Sequence, residues 1–177
     1  MQIYRNILVR VEKEDLDQNG KFVVPEGVKE IASSAFMFCS KALKEVVVSE
    51  GVENIDSFTF YDCENLTQIS LPRSLKSAGD LAFFDCHNLK GVEFQEGTER
   101  LGNGLFTSCI QLDTVLIPSS VTEIGSDLFY GCSSLKRLAL PGKFEGQIAD
   151  ILGPYLKGKK EVDVLFTHPA SAQEKGE

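Results

Sequence analysis

The chain has 177 residues and a formal net charge of -8, because 26 Asp and Glu residues outnumber 18 Lys and Arg residues. This length supports one hydrophobic core, and the acidic balance argues against nucleic acid or an anionic membrane as a partner. No stretch approaches the roughly 18 apolar residues of a membrane helix, and the first residues lack a secretion signal. We therefore expect a single soluble domain, with no membrane insertion. The cytoplasm is the expected location, with export lacking a conventional signal, as an effector or surface protein, as the alternative.

The first 21 residues contain an apolar run of only three residues, Ile7 to Val9. We expect Ile3 to Val11, with the acidic segment after it, to cap one end of the fold. The segment from Asp15 to Glu26 fits the calcium-loop pattern D-x-D-x-N-G followed by five residues and Glu. An EF-hand also requires a helix after the loop, whereas here Pro25 and a predicted strand follow. Asn-Gly before an apolar strand independently indicates a tight turn. Calcium binding is therefore a minor alternative to our main prediction of no metal and no cofactor.

A repeat of about 23 residues dominates the rest of the chain. Its markers are five cysteines, each preceded by a phenylalanine three positions earlier and followed by a leucine three or four positions later. The cysteines are Cys39, Cys63, Cys86, Cys109 and Cys132. A period of this size predicts a solenoid, in which neighbouring repeats stack to bury the apolar side that one repeat cannot bury alone.

Each repeat contains a short alternating segment that predicts a half-buried strand. These segments are FVV at 22 to 24, VVV at 46 to 48, ISL at 69 to 71, VEF at 92 to 94, VLI at 115 to 117, LAL at 138 to 140 and VDV at 162 to 164. They predict seven rungs. Gly91 should weaken the strand that it begins, because glycine has no side chain to pack.

A turn rich in Pro, Gly and Ser follows most strands, and the segment before each cysteine, such as SSAFMFC, predicts one short helical turn. Beyond Pro141 the repeat ends. Ile148, Ile151, Leu152 and Tyr155 have helical spacing, Pro154 should end or bend that helix, and EVDVLF should add a last strand. We predict one domain over 1–166, with a cap at 1–21, repeats at 22–141, a helix-plus-strand cap at 142–166 and a polar tail at 167–177.

The units VPEGVKEIASSAFMFCSKALKEVVV and IPSSVTEIGSDLFYGCSSLKRLALP resemble the BspA-like leucine-rich-repeat family. The resemblance runs from Phe22 to Pro141, with local departures at Ser49, Ala78, Gly91 and Gln95. It implies a right-handed leucine-rich-repeat solenoid, α/β to mainly β. It also implies a role in binding other macromolecules, often within surface or secreted proteins of bacteria and protists.

The cysteine column is predicted to be structural, with each thiol serving as a small buried apolar group. Five cysteines cannot all pair within one chain, and none has a second ligand at the spacing of a metal site. We expect reduced thiols. The histidines, His87 and His168, fall in no catalytic motif, so we expect no enzymatic activity and predict no catalytic residue.

The outward face of the strands is the predicted protein-binding surface, because solenoids present such columns to large partners. Its candidate residues are Glu45, Val47, Gln68, Ser70, Glu93, Thr114, Leu116, Arg137 and Ala139. At the last rung, the outward residue should be Asp163, preceded by Glu161. The alternative is a structural, self-associating or regulatory domain, and we expect a monomer or weak self-association.

Overall fold

The computed structural model describes residues 1–156 and 162–167. Two short 3-10 helices cover Lys13–Asp15 and Gly142–Gln147, and one α-helix, α1, covers Ile148–Leu156. The strands are β1 Gln2–Tyr4, β2 Ile7–Arg10, β3 Lys21–Val23, β4 Glu30–Ile31, β5 Glu45–Val47, β6 Asn54–Ile55, β7 Gln68–Ser70, β8 Ser77–Ala78, β9 Gly91–Glu93, β10 Arg100–Leu101, β11 Thr114–Leu116, β12 Glu123–Ile124, β13 Arg137–Pro141 and β14 Asp163–Thr167.

Seven parallel strands, β3, β5, β7, β9, β11, β13 and β14, form one side of the solenoid. Each residue lies opposite its equivalent in the next repeat, as Val46 does between Phe22 and Ile69. In the three-residue strands the central residue points inward and its neighbours point outward, as alternation requires. In the five-residue strands β13 and β14 the second and fourth residues point inward. The prediction of seven rungs is confirmed.

The ladder on this side is interrupted once. Strands β3, β5 and β7 form one sheet, and β9, β11, β13 and β14 form another. Elsewhere the main-chain N–H of the residue before a strand donates to the previous repeat, as Asp113 N does to Lys90 O. No such bond joins Lys90 N to the repeat that contains β7. The gap lies at Gly91, the position expected to weaken its strand.

A second sheet runs without interruption along another side of the solenoid, in the order β1-β2-β4-β6-β8-β10-β12. Five of its strands have only two residues, and Ile31, Ile55 and Leu101 point from them into the core. The hairpin of β1 and β2 adds to the first of these strands through Ile7 and Leu8. Leu8 and Val11 are buried, so the amino-terminal segment covers the first repeat.

The phenylalanine column forms the centre of the core. Phe36, Phe60, Phe83, Phe106 and Phe129 are all fully buried. Successive rings are stacked with centroids 4.7 to 5.7 Å apart. This spacing lies in the range of favourable aromatic pairs, so the ladder ties each repeat to the next.

The segments around the phenylalanines are series of tight turns and not helices. In the first repeat, Met37 N bonds to Ser34 O and Cys39 N bonds to Phe36 O, each three residues back. The positions equivalent to Ser34, which include Phe58 and Leu81, have positive φ. A left-handed residue breaks the run of α-region dihedrals that a helix needs. The predicted helical turn is therefore reduced to linked turns.

Hydrogen bonds join neighbouring repeats at the turns that follow the long strands, and we call each such pair of bonds a clasp. The Glu50 carboxylate accepts hydrogen bonds from the main-chain N–H groups of Arg73 and Ser74. In the same way, Glu96 accepts from the N–H groups of Ser119 and Ser120. Each glutamate thus satisfies amides of the next turn that would otherwise lack a protein partner.

The carboxyl end covers the last repeat. Ile151 of α1 is buried, and Ile148 and Leu152 pack against the core, whereas the Tyr155 side chain lies outside the description. The helical path is interrupted at Gly153, with φ of 68°, because a residue before proline disfavours the α region. The structure corrects the last rung: Leu138 lies opposite Val164 and not Val162. Thr167, predicted to belong to the tail, is the last residue of β14; residues 168–177 lie outside the description.

Candidate binding surface

The strand face is the outward surface of β3, β5, β7, β9, β11, β13 and β14. Its first column is Lys21, Glu45, Gln68, Gly91, Thr114, Arg137 and Asp163. Its second column is Val23, Val47, Ser70, Glu93, Leu116, Ala139 and Leu165. All nine predicted binding residues lie in these two columns, and each is exposed or half-buried. The structure therefore brings them together on one surface.

The terminal residue of the second column is Leu165, where the sequence predicted Asp163. The shift of two residues preserves alternation, because Val164 and Phe166 take the inward positions in place of Val162 and Val164. Leu165 is 63% exposed, more than any other large apolar residue of the face. Glu161, predicted to precede the last strand, lies outside the described residues.

Polar contacts between rungs fix the side chains of the first column. The Lys21 ammonium lies 2.7 Å from the Glu45 carboxylate. Arg137 donates a hydrogen bond from Nη2 to Thr114 Oγ1 at 2.9 Å, and that hydroxyl donates to Asp113 at 2.7 Å. These contacts are exposed or partly exposed, and such pairs contribute little to stability. They hold the charged groups in defined positions.

The carboxyl-terminal half of the strand face carries a shallow groove of about 500 Å³. Glu93, Leu116 and Ala139 form part of its wall, together with Pro118 and Thr167. Leu116 is 38% exposed beside the Glu93 carboxylate. An apolar patch flanked by charge is typical of surfaces that contact proteins.

The five cysteines are buried, and none of them forms a disulfide. Cys86, Cys109 and Cys132 donate from Sγ to the main-chain oxygens of Phe60, Phe83 and Phe106, one rung earlier. Burial raises the pKa of the Cys39 thiol to about 12, and it raises the pKa values of Cys63 and Cys86 above the ordinary thiol range. Because the thiolate is the reactive form, this column is suited to packing and not to chemistry.

The carboxylates of the calcium-loop pattern serve as local hydrogen-bond acceptors. Asp15 accepts from Glu12 N at 2.8 Å and pairs with the Met1 ammonium. Asp17 accepts from Asn19 N at 2.8 Å and Lys21 N at 2.9 Å. Bonds to the Met1 ammonium and to the Lys21 amide, respectively, are the main reasons why the pKa values of Asp15 and Asp17 are lowered. Over residues 1–156 and 162–167, no group of three or more His, Cys, Asp or Glu side chains could hold a metal ion.

The histidines were predicted to have no catalytic role. His87 Nε2 lies 3.6 Å from Asp85, a residue of the same turn. The neighbouring Cys86 is fully buried, while the His87 side chain is partly exposed, so the two side chains point in different directions. His168 lies outside the described residues.

The repeat geometry and the residues that create it match one family. The family model of the BspA type leucine rich repeat region matches residues 17–145 in 6 copies. The chain belongs to this family. BspA-type repeats are scaffolds that generally mediate protein interactions and are typically non-enzymatic. Along the described parts of this BspA-type chain, no helix is long and apolar enough to cross a membrane.

Solved structures of bacterial leucine-rich-repeat proteins resemble this BspA-type domain. A T. pallidum leucine rich repeat protein is 34% identical with a TM-score of 0.67, over 71% of this chain and 60% of that one. A leucine rich cell surface protein from Faecalibacterium prausnitzii is 27% identical with a TM-score of 0.66, over 75% and 34%. The pneumococcal vaccine antigen PcpA shares the fold, at 21% identity with a TM-score of 0.65, over 92% and 44%. The chain thus spans between a third and three fifths of their lengths, and no curated protein matches its sequence.

Proposed function

We propose that this domain is a non-enzymatic binding module whose strand face contacts a partner protein. The observation that carries the proposal is the carboxyl-terminal half of that face, where Leu116 and Leu165 are exposed beside the charged groups of Glu93 and Arg137. In a protein interface, apolar residues at the centre exclude water, and charged residues at the rim set the orientation of the partner.

Membership in the BspA-type family supports a binding role. One of the similar structures is a cell surface protein and another is a vaccine antigen, which supports an exported or surface location for the protein that contains this domain. Calcium binding at the Asp15 to Glu26 loop receives no support, because the carboxylates of Asp15 and Asp17 already accept hydrogen bonds from main-chain N–H groups of this chain.

The test is affinity capture from the native host with a charge-reversed variant, Glu45→Lys with Glu93→Lys and Arg137→Glu. The matched control carries Glu26→Lys, which changes the net charge by the same two units as the triple variant, at an exposed position away from the strand face. We expect a protein captured by the wild-type chain and the control to be lost with the triple variant, while Tm stays within about 3 °C, since exposed ion pairs are worth roughly 0–1 kcal/mol. Capture of the same protein by all three chains would contradict the strand-face proposal.

Self-association is the second candidate function, and β14 is the observation that favours it. Among the strands within 1–156 and 162–167 it is the last of its sheet, and it presents Leu165 at 63% exposure. An open edge strand can pair with a second chain. If it does so here, light scattering of the wild-type chain should show a mass that rises with concentration, and Leu165→Asp should remove the rise. A mass that stays at 19.5 kDa at all concentrations would contradict self-association.

A further inference from the structure

A second surface lies on the turns that follow the short strands, and we call it the turn face. It consists of residues 32–42, 56–65, 79–88, 102–111 and 125–134. Its outward column, one residue after each core phenylalanine, is Met37, Tyr61, Phe84, Thr107 and Tyr130. The rings of Tyr61 and Phe84 are stacked, with centroids 5.2 Å apart and planes at 6°. This column therefore begins a second aromatic ladder, outside the core.

Thr107 interrupts that ladder. It stands where a third ring would lie, between Phe84 and the exposed Tyr130. In the adjacent column, which contains Phe58 and Leu81, the same repeat has Gly104. The two small residues leave a groove of about 400 Å³, lined by Leu81, Gly104, Thr107 and Tyr130.

Gly104 cannot be replaced by a larger residue without strain. Its φ is +56°, and an added Cβ would lie 2.8 Å from Leu81 Cδ2 and 2.9 Å from Thr107 Oγ1. Left-handed backbone favours glycine. Ser34, Phe58 and Leu81 adopt the same positive φ at the equivalent positions, so it is the close approach of the Leu81 and Thr107 side chains that distinguishes position 104.

Two carboxylates, those of Asp80 and Asp127, also line the groove. Asp80 Oδ1 accepts from Asn103 N at 2.7 Å. Among the residues that the structure describes, no Lys, Arg or His forms an ion pair with either aspartate. By contrast, Lys41 pairs with both Asp62 and Glu64 elsewhere on this face, at 2.8 Å. The groove thus combines an apolar wall and an aromatic ring with negative charge that attracts a cation.

The protein itself shows how this kind of surface holds a guanidinium group. Arg10 lies over the Phe38 ring, with its Cζ atom 3.7 Å from the ring centroid, and Phe38 is an exposed residue of the turn face. The Arg10 Nε atom lies 2.5 Å from the Glu12 carboxylate. Arginine stacks on aromatic rings and pairs with carboxylates at the same time, which lysine does less well.

We propose that the groove between Leu81 and Tyr130 binds an arginine side chain from a basic segment of a partner protein. The aliphatic stem packs on Leu81, the guanidinium lies over the Tyr130 ring, and Asp80 and Asp127 supply the opposite charge. The site lies away from the strand face, so it stands or fails independently of the strand-face proposal.

The experiment is an NMR titration of the full ¹⁵N-labelled chain with an acetylated and amidated tetrapeptide, Gly-Arg-Leu-Gly. Two matched peptides replace the arginine with citrulline, which keeps the shape and removes the charge, or with lysine. A single exposed side chain should bind in the millimolar range, because a cation–π contact and exposed ion pairs are individually weak. We expect the arginine peptide to shift the amides of 103–107 and 126–130, and to bind about tenfold more tightly than the citrulline peptide, a difference of about 1.4 kcal/mol.

The variant Thr107→Tyr tests the geometry, because a ring at this position continues the stack of Tyr61 and Phe84 and fills the groove. We expect it to abolish the shifts, whereas Thr122→Tyr, the same change at an exposed residue outside the groove, should leave them intact. Three results would overturn the proposal: equal binding of the citrulline or lysine peptide, unchanged binding by Thr107→Tyr, or no shift of these amides at 20-fold peptide excess.

Discussion

Cys132 donates a hydrogen bond from Sγ to the main-chain oxygen of Phe106, 3.0 Å away and one rung earlier. The same bond joins Cys109 to Phe83 O at 3.1 Å. The phenylalanine ladder and the cysteine column are therefore one structure, in which the thiols satisfy carbonyl groups beside the stacked rings. Cys86, Cys109 and Cys132 thus connect neighbouring repeats through hydrogen bonds and without a disulfide.

Removing one of these thiols should weaken the stack. We expect Cys109→Ala to lower the free energy of unfolding by about 1–2 kcal/mol, because Phe83 O loses its thiol donor and the core loses the volume of the sulfur atom. Urea denaturation under reducing conditions measures the change. The control is Ile110→Ala at the adjacent exposed residue, which should change stability by less than about 0.5 kcal/mol. Equal effects of the two substitutions would contradict a stabilising role for the thiol.

Stability should fall in alkaline solution because the buried thiols resist ionisation. Burial raises the pKa of Cys39 from 9.0 to about 12, and thiols of the unfolded chain ionise first. The contribution of Cys39 to stability is thus fully present below pH 9 and is lost as pH rises from 9 to about 12. Urea denaturation at intervals between pH 7 and pH 11 should show this decline. Cys39→Ala should make the decline shallower, and an unchanged slope would disprove the assignment.

Gly102 marks a close approach between neighbouring rungs. A Cβ at this position would lie 2.5 Å from the main-chain N of Asp80, closer than any van der Waals contact allows. We expect Gly102→Ala to destabilise the chain by about 1–3 kcal/mol, as the two rungs are forced apart. Gly146→Ala is the matched control, since nothing lies within 4 Å of its added Cβ. Thermal unfolding followed by circular dichroism should lower Tm in the first variant alone.

The interruption between β7 and β9 should be visible in amide hydrogen exchange. Thr67 N and Asp113 N each bond to the preceding rung, at 2.9 Å, whereas the equivalent Lys90 N has no such bond. We expect the Lys90 amide to exchange about 10-fold or more faster than those of Thr67 and Asp113, since it needs no opening of the ladder. Exchange followed by NMR gives all three rates in one experiment. Similar rates at the three positions would show that the ladder is closed in solution.

The repeat could be recognised from the sequence because its markers are long-range and regular. Cysteine and phenylalanine recur in step, and alternation identifies the long strands, so the solenoid, its rungs and the two columns of the strand face were predictable. The short strands such as Glu30–Ile31 were not, because two residues carry no alternation. The last rung was misplaced by two residues, because V-D-V-L-F satisfies alternation in either register.

The aromatic part of the turn face could not be separated from the core by sequence alone. Phe83 and Phe84 are adjacent and chemically identical, yet the first is fully buried and the second is partly exposed. Their directions depend on the positive φ at Leu81 two residues earlier, a conformation that leucine rarely adopts. The main-chain N–H groups of Leu81 and Phe83 donate to Asn103 O and Leu105 O of the next repeat, so this conformation is supported by contacts that a single repeat does not contain.

The clasps made by Glu50 and Glu96 recur two repeats apart, and each joins a glutamate turn to a serine turn. The interchangeable module of this part of the chain is therefore a pair of repeats. Deleting one repeat between residues 49 and 121 would place two turns of the same kind side by side and leave a carboxylate facing the wrong neighbour. Lengthening or shortening this solenoid, by duplication in its ancestry or by a protein engineer, should be tolerated best in steps of two.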